Sequence, residues 1–176
     1  MERTLTAFSA IVLLIGCCTG CGRYKEHIKI PEITFMYTKS YGDEYSLNFC
    51  DSEGNYYLAT TDEVRKMSID KLCSEFFEGR LDGDIKLVRT ADKKDFISNY
   101  NKLVKASEKD DIGLVYPDSV PAVEAPEYNW AGIIYDENDN YKTVVFHKNT
   151  CMTSIDTGND DLNYVYKWFS EAFSEK

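Results

Sequence analysis

Histidine is nearly absent from this chain. It has two in 176 residues, His27 and His147, so any histidine-dependent acid–base or nucleophilic step must use one of them. His27 falls in an N-terminal segment that reads as a tether, which leaves His147. The usual signatures of chemistry are missing as well: there is no phosphate-cradling Gly-rich loop, no H-E-x-x-H and no G-x-S-x-G. No internal repeat, low-complexity tract or long Pro/Gly/Ser linker divides the chain, so one domain is expected. Proline is sparse, and three of the four fall between Pro117 and Pro126, which makes that stretch a loop. Positive charge is also in deficit. Twenty Lys and Arg stand against 30 Asp and Glu, for a net charge of −10. Such a chain repels nucleic acid phosphates, so nucleic acid is not expected as a partner.

What is present begins with MERTLTAFSAIVLLIGCCTGCGRYKEH. The apolar run from Ala7 to Ile15, broken only by Ser9, is too short to cross a bilayer as a helix, which takes about 20 apolar residues. It fits the apolar core of a secretory signal, typically about 7–15 residues long. The run ends in Leu14-Ile15-Gly16-Cys17. This quartet resembles the lipobox of bacterial lipoproteins, in which an aliphatic residue and two smaller ones precede the cysteine that is acylated and becomes the new N-terminus. Ile15 is bulkier than the usual residue there. The resemblance covers only residues 1–17. It implies a signal peptide over residues 1–16 and a lipid on Cys17. Residues 17–29 would then tether a globular domain, residues 30–176, to the extracytoplasmic side of a cell membrane. Cys21 is the alternative lipid acceptor, although Cys18 would then stand where an aliphatic residue is expected.

Cys18-Thr19-Gly20-Cys21 also has C-x-x-C spacing. A redox site would need a strand before it and a helix N-terminus at it, and a zinc site would need a second ligand pair of matching spacing. The sequence provides neither, and no metal or cofactor is expected. Arg23 to Lys29 is locally basic, which favours an anionic surface near the lipid by roughly 1 kcal/mol per cation. Cys50, Cys73 and Cys151 remain. They allow at most one disulfide among themselves, with one thiol left over.

The domain reads as α+β. Ile33, Phe35 and Tyr37 alternate along a first strand and are expected on one side of it. Tyr45, Leu47 and Phe49 do the same along a second strand, and Asp51 to Asn55 is a turn into a third from Tyr56. This suggests an antiparallel meander with one buried face. Ile69, Leu72, Cys73, Phe76 and Phe77 recur at helical spacing. Ser68 is the favoured cap over the Thr60/Glu63 capping box, which leaves residues 62–67 extended or irregular. A short strand, Ile85 to Val88, precedes a helix from Lys93 to Lys105 capped by Asp92. A strand at Ile112 to Tyr116, a hairpin of Trp130–Tyr135 with Tyr141–His147, a strand near Cys151 to Ile155 and a helix capped by Asn159 or Asp160 follow. The expected fold is a mainly antiparallel sheet with about three helices packed on it in one domain. Cys73 should be a buried thiol on its helix. Cys50 lies on the opposite side of its strand from Leu47 and Phe49, which disfavours a bridge between the two.

Candidate chemistry is thin. His147 and Cys151 form a nucleophile pair only if their side chains come within hydrogen-bond reach. Asp136, Asn138 and Asn140 alternate like a calcium loop, but Tyr141 and His147 replace the glycine and glutamate such a loop requires, so a hairpin turn is the better reading. Asp156 to Asp161 is explained by capping and favourable charge at a helix N-terminus. No spacing singles out a carboxylate pair. Tyr56-Tyr57, Tyr128-Asn129-Trp130 and Tyr164 to Trp168 put rings on both faces of their elements, so some should lie outside the core. The reading that follows is a membrane-anchored lipoprotein with a non-enzymatic binding domain at the cell envelope, its partner a protein, peptide or glycan, basic if the negative charge serves recognition rather than solubility. The alternatives are an envelope hydrolase using acidic residues or the Cys151/His147 pair, and a structural envelope component.

Overall fold

The computed structural model describes residues 29–108, 114–115, 126–150 and 154–173. Strands β1 (Ile33–Tyr41), β2 (Glu44–Asp51) and β3 (Asn55–Ala59) lead into helices α1 (Asp62–Arg65) and α2 (Ile69–Phe77). Strand β4 (Ile85–Thr90), helix α3 (Lys93–Ser107) and strand β5 (Leu114–Val115) follow. The chain continues through β6 (Glu127–Tyr135), β7 (Tyr141–Asn149), β8 (Ser154–Thr157) and α4 (Asp160–Ser170). The eight strands form one antiparallel sheet in the order β4-β3-β2-β1-β6-β7-β8-β5. Strand β1 lies at its middle, between β2 and β6, where the meander β1-β2-β3-β4 meets β6-β7-β8. The α+β, mainly antiparallel expectation holds. At the β4 edge, Lys86, Arg89 and a bulge opposite Tyr56/Tyr57 discourage pairing with another strand.

The sheet is buried on both faces, not on one. Cys50, Tyr56 and Phe35 pack under α3 and α4, against Phe96, Tyr100 and Phe169. Leu47, Phe49 and Ile133 pack under α1 and α2, against Val64, Leu72 and Cys73. Alternation along β2 therefore sends both sets of side chains into a core. Asn48 and Cys50 look like solvent-facing positions by polarity and size, yet both are buried. The same fact corrects the reading of the tyrosines: Tyr56 is fully buried, and Tyr57 packs on Phe49 and Phe76 on the opposite face.

Ile33 does not share a side with Phe35 and Tyr37. The register with β2 shifts between Ile33 and Phe35, and the extra residue, Thr34, inverts the alternation. Ile33 then joins the α2 core while Phe35 and Tyr37 join the α4 side. Thr34 is completely buried, and its hydroxyl hydrogen-bonds the carbonyls of Cys50 and Asp51 at 3.0 and 3.1 Å.

Helix starts follow their caps. Ser68 accepts from the Lys71 N–H, Asp92 from Lys94 and Asp95, and Asn159 from Asp161 and Leu162. Residues 62–65 depart from expectation by forming one helical turn. Arg65 supports that turn, donating to the carbonyls of Ala59 and Thr60 and to Asp62. The approach of α3 to the sheet is set at Gly132, where a Cβ would lie 2.2 Å from Leu103 Cδ2.

Two turns of one design close the end of the sheet where β1 begins. The Asp51 carboxylate accepts the N–H groups of Glu53 and Asn55, and Asp136 accepts those of Asn138 and Asn140. Gly54 and Asp139 supply the left-handed residue in each, with φ of 84° and 61°.

Candidate functional site

The end of the sheet that carries the N-terminal segment is tied down. Glu32 accepts hydrogen bonds from Tyr141 at 2.8 Å and Tyr135 at 3.3 Å, and these two rings stack on each other. Lys29 Nζ lies 4.3 Å from the Tyr135 ring centroid and pairs with Asp139 at 2.9 Å. Burial and the Glu32 carboxylate together raise the Tyr141 hydroxyl well above its ordinary value. Asp136 is held below the usual carboxylate range by the turn N–H groups it accepts. This is the hairpin turn expected of the Asp136–Asn140 run.

The opposite end of the same strands is organised as two rows of side chains across the sheet, on the face that α3 and α4 cover further back. Antiparallel register aligns Asn48, Tyr37, Trp130 and His147 in the first row. It aligns Ser46, Lys39, Tyr128 and Asn149 in the second. Directly opposed residues on neighbouring strands share a face and touch.

The first row is roofed by α4. Tyr37 stacks on Trp130 with centroids 3.8 Å apart, Trp130 meets Tyr166 edge-on, and His147 lies flat on Tyr166 at 4.6 Å. Phe173 approaches Tyr37 from the helix end. Desolvation, then the neighbouring Tyr128 and Tyr166, pushes the Tyr37 hydroxyl up to about 12.

The second row lies beyond that roof. Tyr128 is half-buried, with its ring plane within 8° of Tyr37 and its centroid 6.3 Å away. Lys39 is exposed, and its Nζ is 5.7 Å from the Tyr128 centroid. Asn149 Oδ1 is enclosed without a hydrogen-bond donor. Past Lys39 and Ser46 the surface drops around the β2 edge into a cleft of about 520 Å³, lined also by Tyr41, Asp43, Glu44 and, from the α1 side of the sheet, Tyr45, Asp62 and Arg65. The cleft exists because β2 extends beyond the end of β3 and α1 fills only part of the step.

His147 is placed by stacking on Tyr166 and by its pairing with Trp130, as part of a packed aromatic row. Its expected partner Cys151 lies outside the described residues, as do Cys17 and Cys21. Cys50 and Cys73 are free, buried thiols on opposite faces of the sheet, as expected for Cys73. Among the described residues no group of three or more His, Cys, Asp or Glu is arranged to hold a metal. In the Asp156–Asp161 run, Asn159 serves as the cap and Asp160 and Asp161 occupy the first turn of α4.

Sequence reasoning missed Tyr37, Lys39, Ser46 and Asn149 as one surface. Each carries an unremarkable local pattern, and only the pairing of four strands aligns them. Tyr128 and Trp130 were legible as an aromatic cluster, but not which of them lies open. Comparison of the chain with protein-family models, with curated proteins and with solved structures found no match.

Proposed function

We propose that this chain is a membrane-anchored lipoprotein, held through Cys17 on the extracytoplasmic side, whose domain is a non-enzymatic binding module of the cell envelope. The observation that carries this reading is the course of β1. The strand begins at Ile33, beside the tied-down N-terminal segment, and runs to Lys39 and Tyr41 at the open row and cleft. At about 3.3 Å per residue its nine residues separate the two ends by roughly 26 Å. An anchor at one end and an uncovered aromatic and polar surface at the other suit a domain that presents this surface away from the membrane. Tyrosine and tryptophan favour such surfaces because a large ring adds contact area at little conformational cost.

The test is capture. Full-length protein carrying a photo-crosslinking group at the exposed Tyr41, on the same face of β1 as Lys39, is irradiated in envelope fractions. A discrete adduct is expected, weakened by Tyr128→Ala and unaffected by Tyr164→Ala on the outer face of α4. Adducts indifferent to Tyr128, or none, would overturn the assignment of the open surface.

A further inference from the structure

We propose that the open row Ser46, Lys39, Tyr128 and Asn149 is a subsite for a β-linked oligosaccharide, with one pyranose ring lying on Tyr128. The proposal rests on the reading of this end of the sheet as a recognition surface and names the chemistry it takes.

The argument starts from what the row offers. It is continuous, because its members stand side by side on four adjacent strands. It holds one aromatic ring among three hydrogen-bonding side chains, an arrangement poor for an apolar protein patch, which buries contiguous apolar area. The ring of Tyr128 is aligned within 8° of Tyr37, which is itself fixed on Trp130 at 3.8 Å, so the platform is braced from behind. A β-linked pyranose has the matching form: axial C–H groups make its faces apolar, and its hydroxyls lie around the perimeter. Such a ring laid on Tyr128 puts its hydroxyls toward the flanking positions.

Those flanking positions hold uncommitted polar groups. Among the described residues Lys39 makes no ion pair; its exposed Nζ, 5.7 Å from the Tyr128 centroid, would swing aside for a sugar ring and donate to its oxygens. Asn149, on the other side, is half-buried, and its amide nitrogen can donate to a sugar hydroxyl. The cleft beyond Lys39 continues with Tyr41, Glu44 and Asp62, groups that accept from hydroxyls of a following sugar unit. A nucleotide also stacks on rings, but its phosphates would meet a chain of net charge −10.

The experiment titrates the full-length chain in detergent micelles with chitotetraose and with cellotetraose, followed by calorimetry and tryptophan fluorescence. Trp130 lies behind the platform, stacked on the Tyr37 that backs Tyr128, and reports on it indirectly. Saturable binding of at least one tetrasaccharide is expected. Tyr128→Ala should weaken it about tenfold or more, the equivalent of about 1.4 kcal/mol. Tyr128→Leu, which keeps the bulk without the ring, should lose as much, and Tyr164→Ala should lose nothing. Failure of both sugars to bind, or equal binding by the Tyr128 variants, overturns the proposal. If both sugars fail while envelope crosslinking still depends on Tyr128, the glycan class alone is wrong. If crosslinking is also indifferent to Tyr128, the recognition surface itself is misassigned.

Discussion

At Gly132 the helix α3 comes so close to β6 that an added methyl group would overlap the Leu103 side chain, whose Cδ2, Cδ1 and Cγ would lie 2.2, 2.6 and 2.9 Å away. Leu103 is fully buried and has little room to yield. Gly132→Ala should therefore cost about 1–3 kcal/mol in urea denaturation. Combined with Leu103→Ala, its cost should fall below the sum of the two single effects, because the two side chains compete for one space. Titration gives a second residue-scale expectation. Burial pushes the Cys73 thiol from its ordinary 9.0 up to about 11, and Tyr37 and Tyr57 from 10.0 up to about 12. Cys50 is driven in the same direction by burial first and Asp51 next. Above the ordinary values the unfolded chain releases these protons while the folded chain keeps them. Stability is thus fully present below pH 9.0 and falls as pH rises toward about 12. Urea midpoints on either side of pH 9.0 check this, and a flat profile contradicts it. At lower pH both thiols should label slowly in the native state and rapidly after unfolding.

Elements were legible wherever their chemistry is local. Ser68, Asp92 and Asn159 cap their helices through their own side chains, and a cap acts on the next three residues, so the sequence displays it. Asn159→Ala should lower stability by about 1 kcal/mol, since the N–H groups of Asp161 and Leu162 lose their acceptor. A thermal melt measures the loss, and Asn159→Asp should keep most of the stability. The turns at Asp51–Asn55 and Asp136–Asn140 were readable for the same reason. Non-local relations were not. The inversion at Thr34 depends on how β1 lies against β2, and a bulge leaves no mark in ITFMYTKSY. The burial of Asn48 and Cys50 depends on α3 and α4, which come later in the chain and cover the far face of β2. The candidate surface belongs to this second kind: Ser46, Lys39, Tyr128 and Asn149 span more than a hundred residues of sequence and meet only through register.

At the scale of the molecule, the proposed anchor sets the geometry in which the domain works. Mass spectrometry of the mature N-terminal peptide should find the lipid on Cys17, and lipid on Cys21 or none would contradict the lipobox reading. If Cys17 carries the anchor, a tether of about twelve residues reaches at most roughly 40 Å, and a partner would then sit at or near the envelope surface. If the net charge of −10 contributes to recognition, crosslinking in envelope fractions should weaken as salt is raised across the range where the Debye length shrinks to about 3 Å. Salt-insensitive crosslinking would assign the charge to solubility instead. The position of β1 has a mechanical consequence. Among the described residues the strand nearest the N-terminus is a central one, hydrogen-bonded to β2 on one side and β6 on the other. Antiparallel hydrogen bonds run perpendicular to the strand axis, so a pull transmitted through residue 29 into β1 loads both ladders in shear, all bonds together. A pull that peeled away the edge strand β4 would break its bonds one after another. In single-molecule stretching, a domain gripped at its N-terminal end and at Glu127, the far end of the neighbouring strand β6, should resist much higher force than one gripped across β3 and β4. A protein fastened to a surface by that end would carry drag on its partner along its strongest axis.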